Sequence, residues 1–103
     1  MSFKKLGLSD ELLNAIQAKG YSQTTPVQEK AIPFIIQGLD ILAGAQTGTG
    51  KTAAFALPIL SRLQQSESKR RRIRALVLTP TRELACQVGD SFRDYGSNLR
   101  FKT

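Results

Sequence analysis

The sequence predicts an α/β fold in which short parallel strands are flanked by helices, and three observations carry that expectation. An apolar run, Asp40-Ile41-Leu42-Ala43, leads into the glycine-rich stretch Ala45-Gln46-Thr47-Gly48-Thr49-Gly50-Lys51-Thr52 and then into the helix-forming run Ala53-Ala54-Phe55-Ala56-Leu57. A second apolar run, Ala75-Leu76-Val77-Leu78-Thr79, is bounded by charge on one side and by Pro80 on the other, and an amphipathic pattern follows it. The resulting order, strand–helix–strand–helix–strand, implies right-handed crossovers and a parallel sheet covered by helices. Ligands of such sheets bind at the carboxyl ends of the strands, where both Ala45 to Thr52 and Pro80 to Ala85 fall.

Each element has a local reason. Ser9 caps a helix with Asp10 and Glu11 in its first turn, Leu12, Leu13 and Ile16 on its apolar face, and Gly20 as its stop. Thr25-Pro26-Val27-Gln28 reads as a capping box that opens a second helix, which Pro33 is expected to break into Pro26 to Ile32 and Pro33 to Gln37. From Lys51 a helix is expected to reach about Gln65, kinked at Pro58, with Ser66 to Arg72 a polar, basic loop. The next helix starts at Thr81 or Arg82, buries Leu84, Val88 and Phe92, and ends near Gly96 to Asn98. Leu99 to Thr103 then alternates like the beginning of another strand.

At 103 residues the chain is at most one small domain. Its net charge is +7, but Lys69, Arg70, Arg71, Arg72 and Arg74 supply five of those charges and leave +2 for the rest. That run is open to two readings, a solvated loop or a contribution to polyanion attraction. The absence of histidine removes imidazole catalysis, and the lone Cys86 builds neither a disulfide framework nor a thiolate zinc site, which points to the cytosol. The longest apolar stretch, Ala53 to Leu60, is far shorter than a membrane span of about 20 residues, and nothing resembles a signal peptide.

The glycine-rich stretch has the chemistry of a phosphate-binding loop. A triphosphate needs several N–H donors converging on a small volume, and Gly48 and Gly50 let the backbone approach without a Cβ clash. The helix start adds free amides and the positive dipole end, Lys51 a mobile charge for the β/γ oxygens, and Thr52 a hydroxyl for Mg²⁺. Ala45 stands where the generic pattern begins with glycine, and alanine fits there if φ is negative.

Three segments in order resemble the DEAD-box RNA helicases. Gly20 to Gln28 is similar to their Q motif, Ala45 to Thr52 to motif I, and Pro80-Thr81-Arg82-Glu83-Leu84-Ala85 to motif Ia. The opening Met1-Ser2-Phe3 with Leu6-Gly7-Leu8 looks most like bacterial members of the RhlE type. The resemblance implies a partial RecA-like domain, with residues 1–38 as the helical Q-motif region and 39–103 as the first part of the ATP-binding domain. It implies ATP and Mg²⁺ as cofactors, with Tyr21 in the nucleotide-binding segment, Gln28 on the adenine edge and Phe3 packed on its ring. Ala45, Gln46, Thr47, Gly48, Thr49, Gly50, Lys51 and Thr52 would hold phosphates and metal, with Lys51 and Thr52 as the catalytic pair. Pro80, Thr81 and Arg82 would meet the RNA sugar-phosphate backbone, a sequence-tolerant contact. The amide of Gln28 suits adenine because it offers a donor and an acceptor side by side.

The bland roles stand beside these: Gln28 as cap only, Thr81 as cap, Arg82 as surface charge, Glu83 as a first-turn acid and Cys86 as a packed thiol. Thr24 departs from the family's usual proline, which is expected to loosen the loop before Gln28. The chain also ends before the family's acidic motif and second RecA-like domain, so the 103 residues alone are expected to be inactive as a helicase. Two rivals remain, a P-loop NTPase of another class and a non-catalytic module that binds nucleotide or RNA.

Overall fold

The computed structural model describes residues 2–44, 50–66 and 72–103. A short 3-10 helix, Phe3–Leu6, opens the chain, followed by α1 (Asp10–Ala18), α2 (Pro26–Ile36), α3 (Lys51–Gln65) and α4 (Arg82–Tyr95). Ser9 Oγ accepts from Leu12 N at 3.4 Å at the start of α1, and Gly20 beyond its end takes φ 84°. Both ends match the sequence signals.

α2 departs from expectation, because it runs unbroken through Pro33. Proline forfeits one backbone bond at a cost of about 3 kcal/mol. Against that, α2 buries Ala31 and Ile32, with Ile32 at 0% exposure, and full burial of such a side chain contributes about 1.5–3 kcal/mol. Beyond the proline, half-buried Ile36 packs against the core, and Arg62 donates to the Ile36 carbonyl at 3.2 Å. Continuing the helix retains these contacts, so packing outweighs the local penalty. α3 likewise continues through Pro58, which is fully buried.

The core is where the helices meet. Leu12 and Ile16 of α1, Ile32 of α2, Leu57 and Leu60 of α3 and Tyr95 of α4 form one cluster, closed by Phe3, Leu6 and Leu8 from the N-terminal segment. α2 packs most extensively on α3, and α4 lies on α3 with Phe92 and Phe55 ring centroids 6.1 Å apart. Lys19 ties α1 to α4: its ammonium lies 3.1 Å from Asp94 Oδ2 and 5.0 Å from the Tyr95 ring centroid. Asn98 Nδ2 donates to the Glu11 carbonyl at 3.1 Å, a second tie between the same regions.

The expected strands do not form. Residues 40–43, 75–79 and 99–103 belong to no strand, and the one bridge among the described residues pairs Ser2 with Gln23. Apolar sequence supplies propensity, but a strand exists only where a neighbour pairs its N–H and C=O groups. The same openness alters α4. Val88 and Phe92 are half-buried, whereas Leu84, expected in the core, is 41% exposed and Cys86, expected to be a packed thiol, is exposed. The N-terminal half of α4 therefore stands clear of the body.

Candidate functional site

α3 begins at Gly50, where a side chain is excluded twice over. Its φ of 83° is left-handed, and a Cβ there would stand 2.2 Å from Gln28 Nε2. Ser9 and Thr81 cap α1 and α4 through their side chains, whereas no side chain caps α3 among the described residues. The amides of the first turn thus lack intrahelical partners and point, with the positive dipole end, where an anion would sit. Lys51 is exposed at the first helical position and Thr52 half-buried at the second. Ala45, Gln46, Thr47, Gly48 and Thr49 lie outside the described residues.

Gln28 joins this helix start to the one before it. Its Oε1 accepts from Thr25 N at 3.0 Å, half of the anticipated capping box, and its Nε2 donates to the Gly50 carbonyl at 3.2 Å. The side chain is 5% exposed. One donor and one acceptor valence of the amide remain after both bonds, which is the pair an adenine edge requires. The other half of the box is loose: Thr25 faces the Gln28 backbone, yet its Oγ1 is buried without a hydrogen-bond partner. A Cβ on Gly50 would meet that same oxygen at 3.2 Å. Sequence reading assigned Thr25 only a cap; the orphaned hydroxyl beside Gly50 adds it to the site, a role that no local pattern signals.

Thr24 was expected to loosen the loop before Gln28. Its hydroxyl donates to Glu29 Oε1 at 2.6 Å and anchors the loop to α2. That bond is the main cause holding the Glu29 carboxyl below its ordinary pKa.

Phe3, expected on the adenine ring, is 5% exposed and belongs to the core cluster. Tyr21 is 51% exposed in the segment ahead of α2. On the other side, Pro80, Thr81 and Arg82 are all exposed at the start of α4. Thr81 Oγ1 accepts from Leu84 N at 3.1 Å and so caps the helix, and Thr79 Oγ1 donates to the Thr81 carbonyl at 3.0 Å. The Thr81 hydroxyl keeps its own proton for an acceptor such as a phosphate oxygen. No hydrogen bond or ion pair among the described residues links this group to Lys51 or Thr52. Of the basic run only Arg72 and Arg74 are described; Arg74 donates to the Leu63 carbonyl at 3.0 Å and so serves the end of α3.

No cluster of three or more potential metal ligands occurs among the described residues, and no helix of the described residues is long and apolar enough to cross a membrane.

Residues 25–103 match the DEAD/DEAH box helicase family. The chain belongs to that family. Among curated relatives, the DEAD-box ATP-dependent RNA helicase RhpA of Helicobacter pylori is 50% identical over 102 residues, covering 99% of this chain and 20% of that protein. A probable ATP-dependent RNA helicase, ddx27 of Dictyostelium discoideum, is 58% identical over 86 residues, which are 84% of this chain and 11% of that one. In three dimensions this chain resembles the RNA helicase Prp28 from Chaetomium thermophilum, solved bound to ADP. The TM-score is 0.90 at 38% identity, over 99% of this chain and 25% of that chain. A DEAD box protein from Methanococcus jannaschii gives a TM-score of 0.82 at 44% identity, over 92% and 25% of the two chains. This DEAD-box chain is therefore part of a RecA-like helicase domain and spans about a fifth of the length of RhpA. The likeness takes in 99% of this chain and so is not confined to its helices.

Proposed function

We propose that this chain is the adenine- and phosphate-recognising portion of an ATP-dependent RNA helicase of the RhlE type. The Gln28 bridge carries the reading: a base-selective amide is bonded directly to the residue that opens a phosphate-facing helix, so base and phosphate recognition share one hydrogen bond. In this reading Gln28 meets the adenine edge and Tyr21 offers a ring face. Ala45 to Thr49 with Gly50, Lys51 and Thr52 hold the phosphates and Mg²⁺. Thr25 supplies its unpartnered hydroxyl. Pro80, Thr81 and Arg82 hold an RNA backbone. Transfer of the γ-phosphoryl group depends on positioned charge, and Lys51 with the α3 amides supplies only one side of the charge clamp. The 103-residue chain is accordingly proposed to bind nucleotide without RNA-stimulated turnover, while hydrolysis and unwinding belong to the longer helicase.

Calorimetric titration of the chain with Mg²⁺–ATP, Mg²⁺–GTP and inorganic triphosphate tests this. ATP should bind tightest. Lys51→Ala should weaken ATP and triphosphate alike, about tenfold or more, whereas Gln28→Ala should weaken ATP and leave triphosphate nearly unchanged. Equal affinity for ATP and GTP would reject adenine reading and favour a P-loop NTPase of another class.

A further inference from the structure

The Gln28 amide can read a base only while it is held one way round. Turning it over exchanges Oε1 with Nε2, and with them the acceptor and the donor left for a ligand, so the arrangement that matches adenine becomes a mismatch. Two bonds oppose the flip. Nε2 donates to the Gly50 carbonyl at 3.2 Å, and Oε1 accepts from Thr25 N at 3.0 Å. The second bond depends on the planar peptide unit that joins Thr24 to Thr25, because that unit carries the N–H.

The same unit is gripped from its other side. Thr24 Oγ1 donates to Glu29 Oε1 at 2.6 Å, a length typical of a hydroxyl on a carboxylate. Both residues are half-buried, and Glu29 lies in the first turn of α2, where the helix dipole favours its negative charge. With Thr25 as the N-cap, Thr24 stands just before the cap and Glu29 is the fourth helical residue. Those are the two positions that an apolar pair commonly occupies to fix the angle at which a chain enters a helix. Here a hydrogen bond spans them and encloses the shorter Thr25–Gln28 bond. The backbone one residue earlier is held too, since Gln23 forms an antiparallel bridge with Ser2. Threonine leaves φ free where a proline would fix it, so the side-chain bond supplies the restraint that a ring would.

We infer that Thr24 and Glu29 are positioning residues for base selection: their hydrogen bond orients the Thr24–Thr25 peptide, and through it the Gln28 amide, to accept adenine. The inference rests on the reading of Gln28 as the base-selective amide. Both side chains act through Gln28 and neither contacts the phosphates, so losing their bond costs selectivity rather than triphosphate affinity.

Titration of the chain and its variants with Mg²⁺–ATP, Mg²⁺–GTP and inorganic triphosphate tests this, with Gln28→Ala setting the floor of the preference. Thr24→Val keeps the shape and removes the hydroxyl. It should lower the ATP-over-GTP preference about fivefold or more and leave triphosphate affinity unchanged. Glu29→Ala should lower the preference equally, the double variant should add nothing further, and Thr24→Ser should keep the preference of the parent. In the ligand-free chain Thr24→Val should also speed hydrogen exchange at the Thr25 amide. A preference that survives Thr24→Val, that is lost in Thr24→Ser, or an unchanged Thr25 exchange rate would overturn the inference and leave the role of Gln28 intact. Equal weakening of all three ligands would overturn it as well, reducing Thr24 to general support of the loop. A parent chain that does not distinguish ATP from GTP would reject base reading by Gln28 itself, and the inference with it.

Discussion

Among the described residues four glycines adopt positive φ, yet only some of them are held there by what surrounds them. Gly20, at φ 84°, has open space where a Cβ would stand; Gly50, at φ 83°, has the Gln28 amide. Alanine at either position should cost about 1–2 kcal/mol for the left-handed backbone. Only Gly50→Ala should also push Gln28 out of its bond to the Gly50 carbonyl. Paired thermal melts and ATP titrations should therefore show a larger destabilisation for Gly50→Ala than for Gly20→Ala, and a loss of ATP-over-GTP preference in Gly50→Ala alone. Equal nucleotide binding by both would mean that the Gln28–Gly50 bond has no part in base recognition. At this scale the sequence was informative wherever chemistry is local: the caps at Ser9 and Thr81 and the Gln28 half of the capping box follow from residues within a few positions of one another. The reach of Gln28 across 22 residues to Gly50, and the burial of Phe3, depend on how helices pack, and no local pattern encodes them.

Helix existence was legible from capping and periodicity; helix continuity was not. Pro33 read as a break, and there burial decided otherwise; Pro58 was expected within a continuous helix, and α3 runs through it. If packing alone carries α2 past Pro33, restoring an N–H there should strengthen the helix. Pro33→Ala is expected to stabilise the chain by about 1–3 kcal/mol, read from denaturant unfolding at constant m-value. A loss of stability instead would show that the half-buried pyrrolidine ring contributes packing that alanine cannot replace. Strands fared worse than helices for a related reason. A helix satisfies its backbone internally except at its ends, so a 15-residue segment such as α3 needs no partner segment along its length. Residues 75–79 have strand composition but depend on a partner segment that local sequence cannot supply.

The molecule holds together across its first and last described helices, and that closure has a pH signature. Tyr95 is 5% exposed in the core, and burial, with lesser contributions from Tyr21 and Asp94, raises its phenol from 10.0 to about 12. Between those two values the unfolded chain gives up a proton that the folded chain keeps, so the folded state binds more protons and stability falls as pH rises. The contribution is complete below pH 10 and is lost on approaching pH 12. Tyr95→Phe keeps the ring in the cluster and the cation–π partner of Lys19 while removing the titrating group. The informative quantity is the difference between the two proteins. Urea unfolding from neutral pH into this window should show the parent losing more stability than Tyr95→Phe as pH rises. Parallel curves for the two proteins would mean that the phenol titrates in the folded chain as it does in the unfolded one, and that the α1–α4 contact does not shield it from water.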